Sequence, residues 1–219
     1  MTMLVIFDCD GVLVDSEGPA NRLLTRYLND HGVDISVAET EATFIGLSLD
    51  SCAKLVGTRY GVQLPDDFVP EIRRMTAEVL AREVTAIAGV REAVAGLQGP
   101  TCVASSGEVA KMQLTLGTTG ILDLFEGRLY SATMVRRGKP APDLFLHAAD
   151  QCGVAPDRCV VVEDSPFGLQ AAQAAGMRAL GFTGGGHRDH GRDRQMLIDA
   201  GADLVFQRMI DLPSLVQAM

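Results

Sequence analysis

Hydrophobic and polar residues follow two different patterns along this chain. Residues 4–7 form a short apolar run without alternation, which is typical of a strand buried on both faces of a parallel sheet. Between about residues 15 and 85, apolar side chains instead recur three and four positions apart, and there is no convincing strand. This pattern predicts helices over residues 18–31, 36–45, 49–60 and 66–84.

An alternation of strands and helices resumes after residue 85. Strands are predicted over residues 101–105, 128–133, 159–162, 178–182 and 202–206, and helices over residues 90–96, 109–116, 143–152, 166–175 and 212–219. Such an alternation implies a parallel sheet flanked by helices. A plain doubly wound fold does not follow its first strand with a series of helices. We therefore interpret residues 15–85 as a helical domain inserted into an α/β core of residues 1–14 and 86–219.

Charge and cysteine content narrow the classes of function. The chain has 28 acidic and 19 basic residues and a net charge of −9, which disfavours nucleic acids and membranes as partners, since both require clustered positive charge. Five cysteines without a C-x-x-C pair argue against a disulfide framework or a zinc site. The first strand follows Met1 closely, and no apolar run reaches ~18 residues. We expect a cytoplasmic protein, either a monomer or a weak homodimer.

Polar side chains that can perform chemistry follow several of the predicted strands. They are Asp8 and Asp10 after the first strand, Ser105 after the second, Lys139 in a loop, and Glu163 and Asp164 after the 159–162 strand. Because the carboxyl ends of parallel strands share one edge of a sheet, these groups can converge. Acids from two separate strands suit a hard cation such as Mg²⁺, and lysine and hydroxyl groups suit a phosphate. An anionic substrate would need the cation in order to enter so acidic a site.

Each of these features also has a simpler structural explanation. Asp8 and the residues after it could form a strand followed by a turn, and Ser105 could cap a helix. Glu163 and Asp164 could begin a helix, because acids are favourable at a helix N-terminus. Lys139 could be a solvated loop residue. Only the combination of the features favours the functional interpretation.

Four short motifs, in order along the chain, resemble those of the haloacid dehalogenase (HAD) superfamily of phosphotransferases. They are Asp8-Cys9-Asp10-Gly11-Val12-Leu13-Val14-Asp15-Ser16, Ala104-Ser105-Ser106, Gly138-Lys139-Pro140-x-Pro142-Asp143 and Val162-Glu163-Asp164-Ser165-x-x-Gly168. The resemblance covers essentially the whole chain and is greatest for the branch of small sugar-phosphate phosphatases and β-phosphoglucomutase. It implies a Rossmann-like parallel sheet core, the HAD fold, with an α-helical cap inserted after the first motif.

The resemblance also implies a role for each matched residue. Asp8 would be the nucleophile that becomes an aspartyl phosphate, and Asp10 would be the general acid/base. Ser105 and Lys139 would hold the transferring phosphoryl group. Two further sets follow from the same resemblance: Mg²⁺ ligands at Asp8, the backbone carbonyl of Asp10, Glu163 and Asp164, and phosphate-binding N–H groups at Cys9, Asp10, Ser106 and Gly107.

Within the superfamily, the acid at Asp10 favours phosphoester chemistry, because the dehalogenase and phosphonatase branches lack it. The mutase relative carries a histidine just after the first motif, where this chain has Ala20. We therefore predict a phosphatase acting on a small sugar phosphate or sugar-acid phosphate, with a mutase as the alternative. The run Lys111-Met112-Gln113 resembles phosphatases of the 6-phosphogluconate type. A non-catalytic binding module, the third alternative, should have lost Asp8, Lys139 or Asp164, whereas all three are present.

Two loops, at residues 43–48 and 184–187, also lead to expectations. Residues 43–48 resemble the family's substrate-specificity loop, so Gly46, Leu47 and Ser48 are predicted to bind substrate. Three cap arginines could recognise an acidic sugar or could simply be solvated; they are Arg22, Arg73 and Arg74. The glycine-rich run at residues 184–187 lacks the spacing of a phosphate-binding loop. We expect this run to be mobile, with His187 and His190 exposed to solvent.

Overall fold

The computed structural model describes residues 3–44, 47–125 and 127–219, and the chain divides into two compact units. The first unit joins Met1–Asp15 to Thr85–Met219, and the second is Ser16–Val84. The segments on either side of the second unit pair with each other in a short antiparallel ladder, in which Val14 lies opposite Ala86 and Asp15 opposite Thr85. This ladder, which the sequence pattern did not predict, belongs to the first unit.

A parallel sheet forms the centre of the first unit. The strands of this unit are β1 (Leu4–Phe7), β2 (Val14–Asp15), β3 (Thr85–Ala86), β4 (Thr101–Ser105), β5 (Leu129–Ser131), β6 (Cys159–Glu163), β7 (Arg178–Phe182) and β8 (Leu204–Phe206). Six of them form the sheet in the order β5-β4-β1-β6-β7-β8, and every neighbouring pair is parallel. The chain thus winds outward from β1 in both directions, which confirms the predicted Rossmann-like core. In such a sheet a ligand crevice is expected at the carboxyl end of the central strands.

Helices account for much of the remaining chain. In the second unit they are α1 (Glu17–Asp30), α2 (Val37–Phe44), α3 (Leu49–Tyr60) and α4 (Phe68–Glu83), and in the first unit they are α5 (Val90–Gly96), α6 (Val109–Thr118), α7 (Asp143–Gln151), α8 (Pro166–Ala174), α9 (His190–Asp199) and α10 (Leu212–Gln217). Helix α9 was not predicted from the sequence. Its sequence is mostly polar, and Leu197 is the apolar side chain that it buries, so the helical period is weak.

Each unit has its own apolar core. Strands β1, β4 and β6 are buried along their whole length, as their unbroken apolar runs predicted. In the second unit, Leu28, Val56, Phe68 and Ile72 belong to a separate buried cluster. Among the described residues, no helix is both long and apolar enough to cross a membrane.

Candidate active site

The carboxyl edge of the sheet collects the acids that the sequence singled out. Asp8 follows β1 directly, and its backbone N–H donates to the carbonyl of Val162 on β6 at 2.9 Å. Phe7 lies opposite both Val103 on β4 and Val162 on β6. This register places the residues that end all three strands at the same edge.

Lys139 joins two of these acids. Its Nζ donates to Asp8 Oδ1 at 2.7 Å, to Glu163 Oε1 at 2.7 Å and to the carbonyl of Ala104 at 3.0 Å, so all three ammonium hydrogens are used. Only 5% of its side chain is exposed. Burial alone would lower the pKa of Lys139, but the charges of Asp8 and Glu163 raise it above its usual value. Lys139 is therefore a buried cation, and the solvated-loop explanation is wrong.

Asp8 retains one carboxylate oxygen for chemistry. Its Oδ1 accepts from Lys139, and none of the described residues donates a hydrogen bond to its Oδ2. Burial raises the pKa of Asp8 well above its usual value; the charge of Lys139 opposes this shift, and those of Glu163 and Asp164 add to it. A further positive charge beside Asp8 would favour its ionised form.

Glu163 uses both of its oxygens within the protein. Oε1 accepts from Lys139, and Oε2 accepts from the backbone N–H and the Oγ of Ser165, each at 2.9 Å. Ser165 also accepts from the backbone N–H of Gly168 and so caps α8. A Cβ at Gly168 would overlap the Glu163 carboxylate, which explains the glycine in the fourth motif. The simpler explanation, in which this segment begins a capped helix, therefore holds for Ser165.

The acids fit a divalent cation. Asp8, Glu163 and Asp164 each place a carboxylate oxygen within 4.8 Å of the other two. The nitrogens that approach Asp164 lie beside its Oδ2: Arg188 Nε and Nη2 donate to it at 3.3 Å each, and His187 Nε2 lies 3.1 Å from it. None of the described residues donates to Asp164 Oδ1. With unused oxygens on Asp8 and Asp164, this hard-oxygen donor set suits Mg²⁺.

The loop after β1 brings Asp10 beside a second lysine. Lys111 Nζ, from α6, lies 2.8 Å from Asp10 Oδ2. Gly11 adopts φ +78°, and a Cβ there would overlap the Asp164 carboxylate, so the turn requires glycine. Sequence reasoning noted Lys111 only as part of a family resemblance. The contact of Lys111 with Asp10 is indicated by position in the fold, because α6 begins just after the strand that ends at Ser105.

The second motif lies close to Asp10. Ser105 is 2% exposed, and its Oγ accepts from the backbone N–H of Gly107 at 3.1 Å. A Cβ at Gly107 would lie 3.4 Å from Ser105 Oγ and 3.8 Å from Asp10 Oδ2, so these three residues are neighbours. Ser106 is exposed and Cys9 is buried, with its Sγ 3.9 Å from Thr115 Oγ1. The structure thus brings the core-motif residues together around one edge of the sheet.

The predicted residues of the helical unit have local explanations. Gly46 lies outside the described residues, and Leu47 is exposed. Ser48 caps α3, since its Oγ accepts from the backbone N–H of Ser51. The cap arginines are exposed, with Arg22 paired to Glu83 and Arg74 to Glu78. The interpretation of these arginines as solvated surface residues accounts for the contacts.

The expectation for the glycine-rich run was wrong at His187. Its side chain is 8% exposed and contacts Asp164, while His190 is partly buried, with its ring beside Thr183. Sequence reasoning also missed Arg188, whose side chain is equally buried. The three consecutive glycines are a sequence signal for close packing, but they had been expected to make the loop mobile.

A buried lysine between carboxylates at the carboxyl edge of a Rossmann-like sheet provides the charges that can bind a divalent cation and a phosphate group. The sequence model of the family described as haloacid dehalogenase-like hydrolase matches residues 2–176. The chain belongs to this family, and it is a phosphatase within it.

Similar proteins agree with this assignment. The 6-phosphogluconate phosphatase of Escherichia coli (strain K12) is 33% identical over 184 residues, covering 84% of this chain and 83% of that protein. A haloacid dehalogenase-like protein of unknown function from Agrobacterium tumefaciens has 40% identity and a TM-score of 0.90, covering 100% of this chain and 99% of that chain. A HAD family hydrolase from Deinococcus radiodurans, solved with bound phosphate and sodium, has 32% identity and a TM-score of 0.85, covering 99% and 96%.

Proposed function

We propose that this phosphatase hydrolyses a small sugar phosphate or sugar-acid phosphate with the help of Mg²⁺, through an aspartyl phosphate at Asp8. One observation carries the proposal: Lys139 holds Asp8 by one oxygen, and the other oxygen has no donor among the described residues. A carboxylate held in this way is oriented for attack, and its nucleophilic oxygen need not break a hydrogen bond first.

The cation would be held by Asp8, Asp164 and the backbone carbonyl of Asp10. When bound, Mg²⁺ offsets the negative charges of the acids and of the incoming phosphate. We assign Glu163 mainly to fixing Lys139, because both of its oxygens are already hydrogen-bonded, and any contribution to the cation would pass through water. The resemblance to the family had placed Glu163 among the ligands.

The side chains can then carry out two displacements at phosphorus. Asp8 attacks, the bond from phosphorus to the sugar oxygen breaks, and Asp10 gives its proton to that oxygen. Asp10 next takes a proton from water, which attacks the aspartyl phosphate and releases inorganic phosphate and free Asp8. Lys139 and Ser105 stabilise the charge on the phosphoryl oxygens. Lys111, which contacts Asp10, helps to orient it in both steps.

Substrate specificity is proposed to reside in the helical unit, as the family resemblance implies. The involvement of Gly46, Leu47 and Ser48 remains a prediction. The sugar-acid class is supported by the 33% identity to a protein named 6-phosphogluconate phosphatase. The alternative, a phosphosugar mutase, remains weaker because Ala20 stands where the mutase relative has histidine.

The test is phosphate release from a panel of phosphorylated sugars and sugar acids, with and without Mg²⁺. Asp8→Asn should lower kcat about a thousandfold or more, since a carboxamide cannot act as the nucleophile. Asp123→Asn is the matched control, because Asp123 is exposed and pairs with Arg91 away from these acids.

Two results would contradict the proposal. Conversion of β-glucose 1-phosphate to the 6-phosphate without phosphate release would indicate the mutase. Release of phosphate that is independent of Mg²⁺ and persists in Asp8→Asn would exclude the proposed nucleophile.

A further inference from the structure

The loop between β7 and α9 contributes side chains to the site that no motif assigns. From its contacts we infer that Arg188 and His187 are positioning residues for Asp164: they bind its Oδ2 and so leave Oδ1 oriented for the divalent cation. This inference rests on the Mg²⁺ dependence in the proposed function.

The nitrogens that contact Asp164 lie beside one of its two carboxylate oxygens. His187 Nε2 and two nitrogens of Arg188 all reach Oδ2 of Asp164, at 3.1 to 3.3 Å. Both side chains are 8% exposed, so these bonds lie away from bulk water. A carboxylate that accepts two hydrogen bonds through one oxygen, with an imidazole nitrogen beside the same oxygen, has little freedom to rotate, and its other oxygen takes a fixed direction.

The loop is also shaped to lie against the first motif. A Cβ at Gly184 would overlap the carbonyl of Gln207, and a Cβ at Gly186 would overlap the carboxylate of Asp15. A Cβ at Gly185 would lie 2.8 Å from the carbonyl of Gly11. Gly185 and Gly186 therefore permit close packing beside the motif that carries Asp8 and Asp10, and Gly184 permits it against Gln207, which a merely mobile loop would not require.

Arg188 is itself held from both sides. Its backbone N–H donates to Gly185 at 3.0 Å, and its Nη1 lies 4.0 Å from the buried Asp193. Asp189, the next residue, caps α9 by accepting from the backbone N–H of Arg192. The desolvation of a buried guanidinium is tolerated where acids surround it. Asp164 and Asp193 supply those acids.

The direct test is calorimetric titration of Mg²⁺ alone into the full chain, without substrate. Arg188→Gln should weaken Mg²⁺ binding about tenfold or more, the usual cost of losing a partner that orients a metal ligand. Arg188→Lys keeps the charge but supplies a less rigid donor, so its loss should be smaller; His187→Gln should also weaken binding. Arg192→Gln is the matched control, because Arg192 pairs with Asp193 at 2.8 Å and is mostly exposed.

A second measurement separates positioning from a general structural role. In phosphate release, Arg188→Gln should raise the Mg²⁺ concentration for half-maximal rate by the same factor, and kcat should recover at saturating Mg²⁺. A variant that is simply less stable would lose kcat at every Mg²⁺ concentration, and its metal-free melting temperature would reveal this. Should Arg188→Gln fail to fold, Arg188→Lys and His187→Gln provide the same comparison.

Several outcomes would overturn the inference. Unchanged affinity in a folded Arg188→Gln variant would show that Asp164 needs no such support. Tighter binding would show that Arg188 competes with the cation. If the wild-type chain binds no Mg²⁺, the inference fails together with the metal part of the proposed function. If Mg²⁺ binds as expected but no phosphate is released, only the proposed reaction fails.

Discussion

The ion pairs of Lys139 at the carboxyl edge of the sheet and the Arg74–Glu78 pair in the helical unit have similar distances between their charged atoms. The former are buried, whereas the latter is exposed. Lys139 lies 2.7 Å from Asp8 and from Glu163, and its side chain is 5% exposed. In the helical unit, Arg74 lies 2.6 Å from Glu78, with 61% and 56% of the two side chains exposed. From the distances alone, the two kinds of pair would be expected to contribute equally to stability. Burial separates them, because water screens the exposed pair and not the buried one.

The comparison shows where each region obtains its stability. The helical unit depends on apolar contacts, such as those of Phe68 and Ile72, and its surface pairs add little. The sheet edge instead keeps mutually repelling acids close together, and the basic side chains that contact them among the described residues include Lys139, Lys111 and Arg188. Such an arrangement is costly for folding and is explained by chemistry at the site.

The largest effect on stability is expected from Lys139→Met. The substitution removes the ammonium and leaves Asp8 and Glu163 buried without their shared cation, which should cost about 3–5 kcal/mol in the free energy of unfolding. Urea denaturation of the metal-free protein measures it. Adding Asp8→Asn to this variant should recover part of the loss, since one uncompensated charge disappears. A loss below about 1 kcal/mol would contradict the view that this pair differs from a surface pair.

A somewhat smaller effect is expected from a cavity in the helical unit. Ile72→Ala removes buried methyl and methylene groups from the cluster between the helices and should cost about 2–4 kcal/mol. Ile72→Val is the matched control and should cost about 1 kcal/mol. Urea denaturation, followed by helical circular dichroism, provides the measurement. Equal stability of the alanine variant and the wild type would mean that this cluster does not hold the unit together.

The smallest effect is expected from Arg74→Ala. The Arg74–Glu78 pair spans one turn of α4 and is mostly exposed, so its loss should change the free energy of unfolding by less than about 0.5 kcal/mol. The same denaturation experiment at low and high salt should give nearly the same small difference. A loss comparable with that of Lys139→Met would remove the distinction between the two regions.

The sheet and the helical segment could be predicted because their patterns are local. Unbroken apolar runs identified β1, β4 and β6, and the acids and hydroxyl that follow them indicated one shared edge. Helix α9 was missed because Leu197 alone gives it too weak an apolar period. Short ladders such as Val14–Asp15 with Thr85–Ala86 depend on a distant partner that no local pattern shows.

Within the site, the limits of sequence reasoning were also spatial. Lys139 was placed correctly because it belongs to an ordered motif, whereas Lys111 reaches Asp10 only through the packing of α6. Three glycines in a row indicate either mobility or close approach, and the sequence does not distinguish the two. The atoms that require glycine at positions 184–186 belong to Gln207, Gly11 and Asp15, which are remote along the chain.

The position of β1 in the centre of the sheet has a consequence for synthesis of the protein. This strand is translated before both of its partners in the sheet, β4 and β6. Lys139 emerges 131 residues after Asp8. The contiguous helical unit is stabilised by contacts within a short stretch of the chain. The apolar strand β1, by contrast, stays unpaired until its partners are synthesised, and until then it is prone to aggregate. A ribosome-bound chain that ends before β6 could therefore pair β1 only with β4, and the other edge of the strand that leads to Asp8 would be open.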